Sequence, residues 1–160
     1  MIQATTETGI TIYIQTEDNR INTSVASTQI RHLIKFTNDM DGSVHYAYGA
    51  AETIYNRYTY MPMHYNVNPD IYTGKTKLFP AGYWKYEAYE VSWTGTVTVS
   101  SGYAPATEDD VLEPAAADKG IVQGLVTKGK MYLAEKDGTE QVQYTQRQEP
   151  SGTNYIYYGQ

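Results

Sequence analysis

Residues 75–93 read KTKLFPAGYWKYEAYEVSW, and their pattern is the clearest indication of the fold. After a glycine turn, Trp84, Tyr86 and Ala88 alternate with charged or polar-tipped side chains. Successive side chains of a β-strand point to opposite faces, so this spacing predicts one buried face and one wetter face. Aromatic residues also suit a pleated, half-buried surface. We therefore expect a long central strand here, with Trp84 and Tyr86 in the core.

The composition favours an all-β chain. The 160 residues include 17 tyrosines and 2 phenylalanines, and threonine is abundant. Tyrosine and threonine are typical strand residues, and tyrosine suits sheet faces and subunit interfaces better than a dry core. A chain of this length buries a core without disulfides or a metal. The absence of cysteine excludes thiolate metal sites and cysteine nucleophiles.

The charge predicts which partners the protein avoids. The formal net charge is −6, with an isoelectric point near 5.0, and the 12 basic residues are scattered. Because a phosphate backbone would repel such a protein, we expect no nucleic-acid partner. No apolar run approaches the roughly 20 residues of a membrane span, and no export signal is visible. We therefore expect a soluble protein without a membrane partner.

Alternation along the chain predicts further strands. Residues 9–14, GITIYI, form the first, and a weaker strand is predicted at 21–25. Residues 28–37 and 43–49 flank an Asp-Gly turn, a strong hairpin signal. Pairing between them is the firmest expected tertiary contact. The expected core residues are Ile12, Ile30, Ile34, Phe36, Leu78, Trp84, Tyr86 and Leu133.

Other stretches have weaker patterns. A strand around residues 58–60 is limited by Pro62, which lacks a ladder donor and predicts an edge or a loop. Residues 66–74 are expected to form a loop, and residues 94–100 to extend the central strand or pair with it. Residues 121–135 resume β character, with Met131 and Leu133 facing inward and Leu125 as a further candidate.

The second half of the chain predicts a long loop and an arm. Residues 101–120 combine two prolines, an acidic run and small residues, which favours a loop. A second Asp-Gly turn at 137–138 leads to a short strand at 142–144. Residues 154–158, NYIYY, are strand-like but follow a Pro-Ser-Gly break, so we expect them to dock on something. We divide the chain into a sandwich domain, 1–135, and a hairpin or arm, 136–160, that docks on a neighbouring subunit.

Candidate catalytic and metal-binding motifs have simpler explanations. Pairing of residues 28–37 with 43–49 would bring His32 towards His45, and a third histidine is His64. Their spacing along the sequence does not match a zinc-binding motif. Residues 38–42 resemble the start of a calcium loop and fail the pattern at both ends. The acidic residues 108–110 suit a solvated loop. Glu87 and Glu90 point to opposite faces of one strand, so they cannot act as a glycosidase pair. We expect no enzyme activity, no cofactor and no metal site.

Tyrosines provide the candidate interaction surface. Several crowd one loop-rich region, and others lie near residue 160. Exposed tyrosine packs well in protein interfaces and also stacks on sugar rings, while cross-strand packing on an outer sheet face is the plainer alternative. The expected interface residues are Tyr55, Tyr58, Tyr60, Tyr65, Tyr72, Tyr155, Tyr157 and Tyr158.

Several motifs together resemble a family of small proteins from tailed bacteriophages. These are LIKFTNDMDGSVHYAYG, then NRYTYM, then NPDIYTGKTKLFPAGYWKYEAYEV, and finally GKMYLAE with a tyrosine-rich end. The resemblance covers about residues 28–160. It implies a structural component of the virion, assembled in the bacterial host cytoplasm, and transfers no catalytic residues. The implied partners are other virion proteins of the capsid, neck or tail, in an oligomeric particle.

The strand pattern also resembles an immunoglobulin-like β-sandwich. Seven or eight short strands with turns at intervals near ten residues are typical of that fold. Gly82-Tyr83-Trp84-Lys85-Tyr86 is similar to its Gly-x-Tyr-x-Cys motif, with Trp84 at the corner and Tyr86 in place of the cysteine. Aromatic packing must then replace the usual disulfide between the sheets.

These observations predict a single all-β domain with a non-enzymatic role. The expected fold is an immunoglobulin-like β-sandwich with a long loop and an extended arm at the end of the sequence. The expected function is that of a capsid decoration or head–tail neck protein. The alternative is a carbohydrate-binding or host-adhesion module that uses the aromatics between residues 55 and 72.

Overall fold

The computed structural model describes residues 1–138. This part of the chain is all-β: it contains nine strands and three single-turn 3₁₀ helices, and no α-helix. The strands are β1 (Ile2–Thr5), β2 (Ile10–Ile14), β3 (Ile30–Asn38), β4 (Val44–Tyr48), β5 (Thr53–Ile54), β6 (Thr59–Tyr65), β7 (Lys75–Thr76), β8 (Gly82–Ser92) and β9 (Ile121–Ala134). No helix within the described range is long and apolar enough to cross a membrane.

The strands form two sheets in a β-sandwich-like arrangement. One sheet has the order β1-β9-β8-β3-β4, and the other has the order β2-β6-β5, with β7 pairing parallel to the end of β6. All remaining neighbours are antiparallel except β1 and β9, which run parallel. The prediction of an all-β sandwich is therefore confirmed at this level.

The predicted hairpin between β3 and β4 is present. Leu33 to Thr37 pair with Tyr48 to Val44 in antiparallel register. The side-chain oxygen of Asn38 accepts hydrogen bonds from the N–H groups of Met40 at 2.7 Å and Asp41 at 3.2 Å. Gly42 has a φ of 72°, which glycine adopts without steric cost. These local bonds explain why the chain reverses here.

Strand β8 lies at the centre of the five-stranded sheet, as its pattern predicts. It pairs with β3 on one side and with β9 on the other. Trp84 is buried and its Nε1 donates a hydrogen bond to the carbonyl oxygen of Pro80 at 3.1 Å. Tyr86 is half-buried and its ring lies over Gly129, where a Cβ would come within 2.6 Å of the tyrosine hydroxyl. Glycine at 129 therefore makes room for the ring.

The main core lies between the two sheets. Of the eight residues expected in the core, seven are buried and Tyr86 packs against the cluster from a half-buried position. Met61 and Met63 of β6 join this core from the opposite sheet. The buried members named from the sequence are Ile12, Ile30, Ile34, Phe36, Leu78, Trp84 and Leu133.

A second core lies on the other face of the five-stranded sheet. Leu33, Tyr48, Val91 and Trp93 are buried there together with Ala104 of the long loop. The hydroxyl of Tyr48 donates to the carbonyl of Pro105 at 2.7 Å. The segment 101–120 contains no strand, as predicted, but it folds back over the sheet instead of extending into solvent. Trp93, which the sequence pattern leaves unassigned, is fully buried in this second core.

Two predicted strands do not form, and one residue expected to face inward is exposed. No strand forms at residues 21–25, because the N–H groups of Ile21 and Asn22 donate to the buried carboxylate of Glu90. Residues 94–100 neither extend β8 nor pair with it. Leu125 does not face inward: it is 41% exposed, next to a register irregularity of β8 and β9 where Gly124 has a φ of 146°.

Pro62 does not reduce its surroundings to an edge or a loop. It lies inside β6 opposite Thr11 of β2. Its carbonyl oxygen accepts a hydrogen bond from the N–H of Ala50 at 2.8 Å, on the side away from β2. The nitrogen of a strand residue points to the same side as its carbonyl, so the missing donor costs no hydrogen bond to β2.

The predicted elements after residue 138 lie outside the described residues. These are the strand at 142–144, the strand-like segment 154–158 and most of the arm at 136–160.

Candidate protein-interaction surface

The structure gathers three of the predicted interface tyrosines on the outer face of the β2-β6-β5 sheet. Tyr60 lies on β6, and Tyr55 and Tyr58 flank the turn between β5 and β6. They are joined by Tyr13 of β2, which sequence analysis did not include. We call Tyr13, Tyr55, Tyr58 and Tyr60 the tyrosine patch.

The hairpin between β5 and β6 positions the tip of this patch. The N–H of Tyr55 donates to the carbonyl of Tyr58 at 2.9 Å, which closes a turn with Asn56 and Arg57 at its centre. All four residues of this turn are exposed. Arg57 makes no ion pair with any described residue, so its charge faces solvent at the tip.

Contacts between the rings hold the patch together. Tyr13 lies directly opposite Tyr60 in the β2–β6 register, with ring centroids 5.5 Å apart. Tyr58 packs against Tyr13 at 5.8 Å and against Tyr55 at 4.8 Å. Such spacings are typical of attractive aromatic pairs. The rings nevertheless stay accessible, since Tyr13, Tyr55 and Tyr58 are 61%, 48% and 41% exposed.

The ring orientations indicate what the patch can bind. The planes of the three contacting pairs are inclined by 37° to 61°. The rings therefore do not form one flat platform of the kind that a polysaccharide chain would lie along. They form an uneven apolar surface with hydroxyl groups and Arg57 at its edge. Tyrosine and arginine are the residue types that contribute most binding energy in protein interfaces.

Two other predicted interface tyrosines lie elsewhere. Tyr65, at the end of β6, lines a small pocket of about 170 Å³ together with Lys77, Phe79 and Lys136. Tyr72 stacks on Tyr48 with ring centroids 6.3 Å apart and packs against the second core. Tyr155, Tyr157 and Tyr158 lie outside the described residues.

A second exposed aromatic pair lies on the opposite side of the sandwich. Tyr83 and Tyr132 have ring centroids 5.1 Å apart on the outer face of the five-stranded sheet. Beside them, Asp39 pairs with Lys130 at 2.9 Å and with Lys85 at 3.5 Å. The hydrogen bond from Lys130 is the main cause that lowers the pKa of Asp39. The cations here are therefore partly neutralised, whereas Arg57 has no acidic partner among residues 1–138.

The acidic residue Glu108 holds the long loop to the sheet. Its carboxylate accepts hydrogen bonds from Lys35 and, at 2.5 Å, from the hydroxyl of Tyr46. Burial opposes ionisation of Glu108, but these two bonds outweigh it and lower the pKa of the carboxyl. Burial and the bond to Glu108 together raise the pKa of Tyr46 to about 12.

The histidines do not assemble into a metal site. His32 is buried and its Nδ1 lies 2.6 Å from a carboxylate oxygen of Glu52. His45 pairs with Phe36, four residues along β3, so the predicted approach of His32 and His45 does not occur. His64 is exposed on β6. Among residues 1–138, no group of three or more histidine, aspartate or glutamate side chains could hold a metal ion.

The glutamates of β8 are likewise separated. Glu90 is buried and accepts hydrogen bonds from the main chain of Ile21 and Asn22 at 2.9 and 2.7 Å. Glu87 lies on the outer face, where its carboxylate is 3.9 Å from Lys35. The two carboxylates point to opposite sides of the sheet, so they do not form a glycosidase pair.

Comparisons with protein-family models, with curated proteins and with solved structures found no match for this chain.

Proposed function

We propose that the protein is a non-enzymatic structural component of a tailed-phage particle, mounted on the capsid or at the head–tail neck through protein contacts. The observation that carries this proposal is the tyrosine patch, a cluster of four contacting rings, three of them exposed, beside Arg57. Isolated exposed aromatics are ordinary, but a contiguous aromatic patch marks an interaction site. The phage assignment comes from the sequence resemblance over residues 28–160.

We also propose that the sandwich is immunoglobulin-like, of the variable type. The order β1-β9-β8-β3-β4 corresponds to the immunoglobulin order A′-G-F-C-C′, and β2-β6-β5 corresponds to B-E-D. The parallel pairing of β1 with β9 fits A′ beside G. In this assignment residues 93–120 are the F–G loop, which packs on the outer face of the five-stranded sheet.

The start of β8 supports the same assignment. In immunoglobulin domains a tyrosine near the start of strand F bonds to the backbone a few residues upstream. Trp84 makes the equivalent bond to Pro80, four residues upstream. Tyr86 stands where the disulfide cysteine would be and packs on the main core from a half-buried position.

The direct test of the function is the composition of purified phage particles. Quantitative mass spectrometry of gradient-purified particles is expected to find the protein at a constant copy number per particle. A variant that lacks residues 150–160 is expected to fold and yet to be lost from particles, because these residues would add a strand to a neighbour's sheet edge. Absence of the intact protein from particles would contradict the proposal.

A carbohydrate-binding or host-adhesion role is the alternative, favoured by the exposed rings of Tyr13 and Tyr58. It predicts that one class of glycan changes the intrinsic fluorescence of the protein and that Tyr58→Ala abolishes the change. The structural role predicts no saturable response across a broad glycan panel. The inclined ring planes favour the structural role.

A further inference from the structure

One edge of strand β2 has main-chain groups without a partner strand. Thr11 lies opposite Pro62, whose carbonyl and nitrogen point away from β2. In an antiparallel ladder, the main-chain N–H and C=O groups of two directly opposed residues either point towards each other or point away from each other. The N–H and C=O of Thr11, and of Tyr13 two residues later, therefore point to the edge that faces away from β6. No described residue hydrogen-bonds to them there.

This edge is suited to pairing with another strand. Ile10, Ile12 and Ile14 are buried against the core, while Thr11 and Tyr13 are exposed on the outer face. The five residues contain no charge and no proline, the devices that usually protect a sheet edge. An added strand with the same alternation would extend both the apolar inner layer and the tyrosine patch.

Three other sheet edges are less suitable. The part of β9 that extends beyond β1 is partly covered, because the side chain of Asn19 donates to the carbonyl of Val126 at 3.0 Å. Strand β5 has two residues. The free edge of β4 is comparable in length, but it lies at the far side of the five-stranded sheet from β1. Four strand spacings separate β4 from β1, roughly 19 Å.

The described chain ends beside the entry to β2. The N–H of Thr6 donates to the carbonyl of Ala134 at 2.8 Å, and the N–H of Lys136 donates to the hydroxyl of Thr6 at 3.0 Å. Thr6 lies four residues before β2, so the 22 residues that follow Gly138 start near the beginning of β2. Two copies related by a two-fold axis near this point would exchange these segments over a short distance.

We propose that residues 153–158 of a second copy pair with the free edge of β2. This inference rests on the proposed function, in which this segment docks on a neighbour. The segment reads TNYIYY, so Asn154, Ile156 and Tyr158 alternate with Tyr155 and Tyr157. Ile156 packs beside the buried isoleucines of β2, and Tyr155 and Tyr157 lie next to Tyr13 on the outer face. In this exchange each subunit adds one strand to the β2-β6-β5 sheet of the other.

Cysteine cross-linking tests the pairing on the full chain, which has no native cysteine. A Thr11→Cys chain is mixed with a tagged Tyr155→Cys or Tyr157→Cys chain and oxidised. Directly opposed side chains in a sheet have Cβ atoms about 5 Å apart, close enough for a disulfide after small adjustment. We expect a mixed disulfide dimer with at least one partner. Val44→Cys, at an exposed position on β4, is the matched control and is expected to give little mixed disulfide dimer.

Two results would overturn the inference. Cross-linking to Val44→Cys in place of Thr11→Cys, or to neither, would exclude the β2 edge as acceptor. A double variant that cross-links only within one chain, with no mixed dimer, would show that the segment closes on its own copy. If the protein is still found in purified particles, either result leaves the proposed function intact. Absence from particles despite a mixed dimer would reject the function and retain the pairing.

A proline substitution provides an independent measurement. Thr11→Pro removes an edge-facing donor without removing a β2–β6 hydrogen bond, so we expect self-association to weaken about tenfold or more. Val44→Pro is the control. The carbonyl of Ser43 accepts a hydrogen bond from the N–H of Asn38, so the main-chain groups of Ser43 face β3. Those of the next residue, Val44, therefore face the free edge of β4. Sedimentation of both variants is compared with that of the native chain. Equal association of all three would contradict the proposal.

Discussion

The indole Nε1 of Trp84 donates a hydrogen bond to the carbonyl oxygen of Pro80 at 3.1 Å, four residues before it in the chain. This bond closes the turn that leads into β8 while the indole ring fills the main core. One side chain therefore fixes both where the central strand starts and how the two sheets pack.

Replacing Trp84 tests this role. We expect Trp84→Ala to lower the free energy of unfolding by about 3–5 kcal/mol, the range for large buried aromatics. Trp84→Phe is expected to cost less, because it retains much of the ring volume and loses the hydrogen bond. Chemical denaturation measures both. Tyr83→Ala, on the exposed face, is the control, and a cost for Trp84→Ala below about 1 kcal/mol would contradict the packing described.

The contact of Glu108 with Lys35 and Tyr46 predicts a pH effect. The pKa of Glu108 is lower in the folded protein than its ordinary value of 4.5. Its contribution to stability is therefore complete above pH 4.5 and is lost as the pH falls through the folded pKa. Glu108→Gln is expected to show a smaller decrease in unfolding free energy on acidification than the native protein. Asp109→Asn, at the exposed neighbouring position, provides the control, and identical pH profiles for native protein and Glu108→Gln would reject the prediction.

The tyrosine patch predicts a loss of binding without a loss of folding. Tyr58 contacts both Tyr13 and Tyr55, so Tyr58→Ala removes the central ring of the patch. We expect Tyr58→Ala to weaken binding to the particle by about 2 kcal/mol or more in binding free energy, roughly a thirtyfold loss of affinity. Competition with the native protein for incorporation, read by mass spectrometry, measures this. Tyr83→Ala, at another exposed tyrosine, is expected to compete normally; equal incorporation of both variants would argue against the patch as the interface.

Local pattern predicted the parts of the fold that local physics determines. Strand β8 follows from strict alternation, and the β3–β4 hairpin follows from an Asp-Gly turn between two alternating runs. The first strand, β1, was missed because its four residues, IQAT, lack a clear alternation. Its partner is β9, at the other end of the described chain, and no local signal indicates such a pairing.

The sequence predicts only those members of the tyrosine patch that lie close together along the chain. The turn between β5 and β6 carries Tyr55 and Tyr58, which are near in sequence. Tyr13 joins them because β2 pairs with β6, which places Tyr13 opposite Tyr60. Pro62 in the sequence argues against a regular strand β6, and only the structure shows that its nitrogen points away from β2. The burial of Trp93 likewise depends on a polar, alanine-containing loop that folds back over the sheet.

The most direct test of the structural role is a cryo-electron microscopy map of the protein in its phage particle. We expect the tyrosine patch, with Arg57 at its tip, to be buried against another particle protein. A map in which Tyr13, Tyr55 and Tyr58 face solvent while other surfaces make the contacts would contradict this expectation.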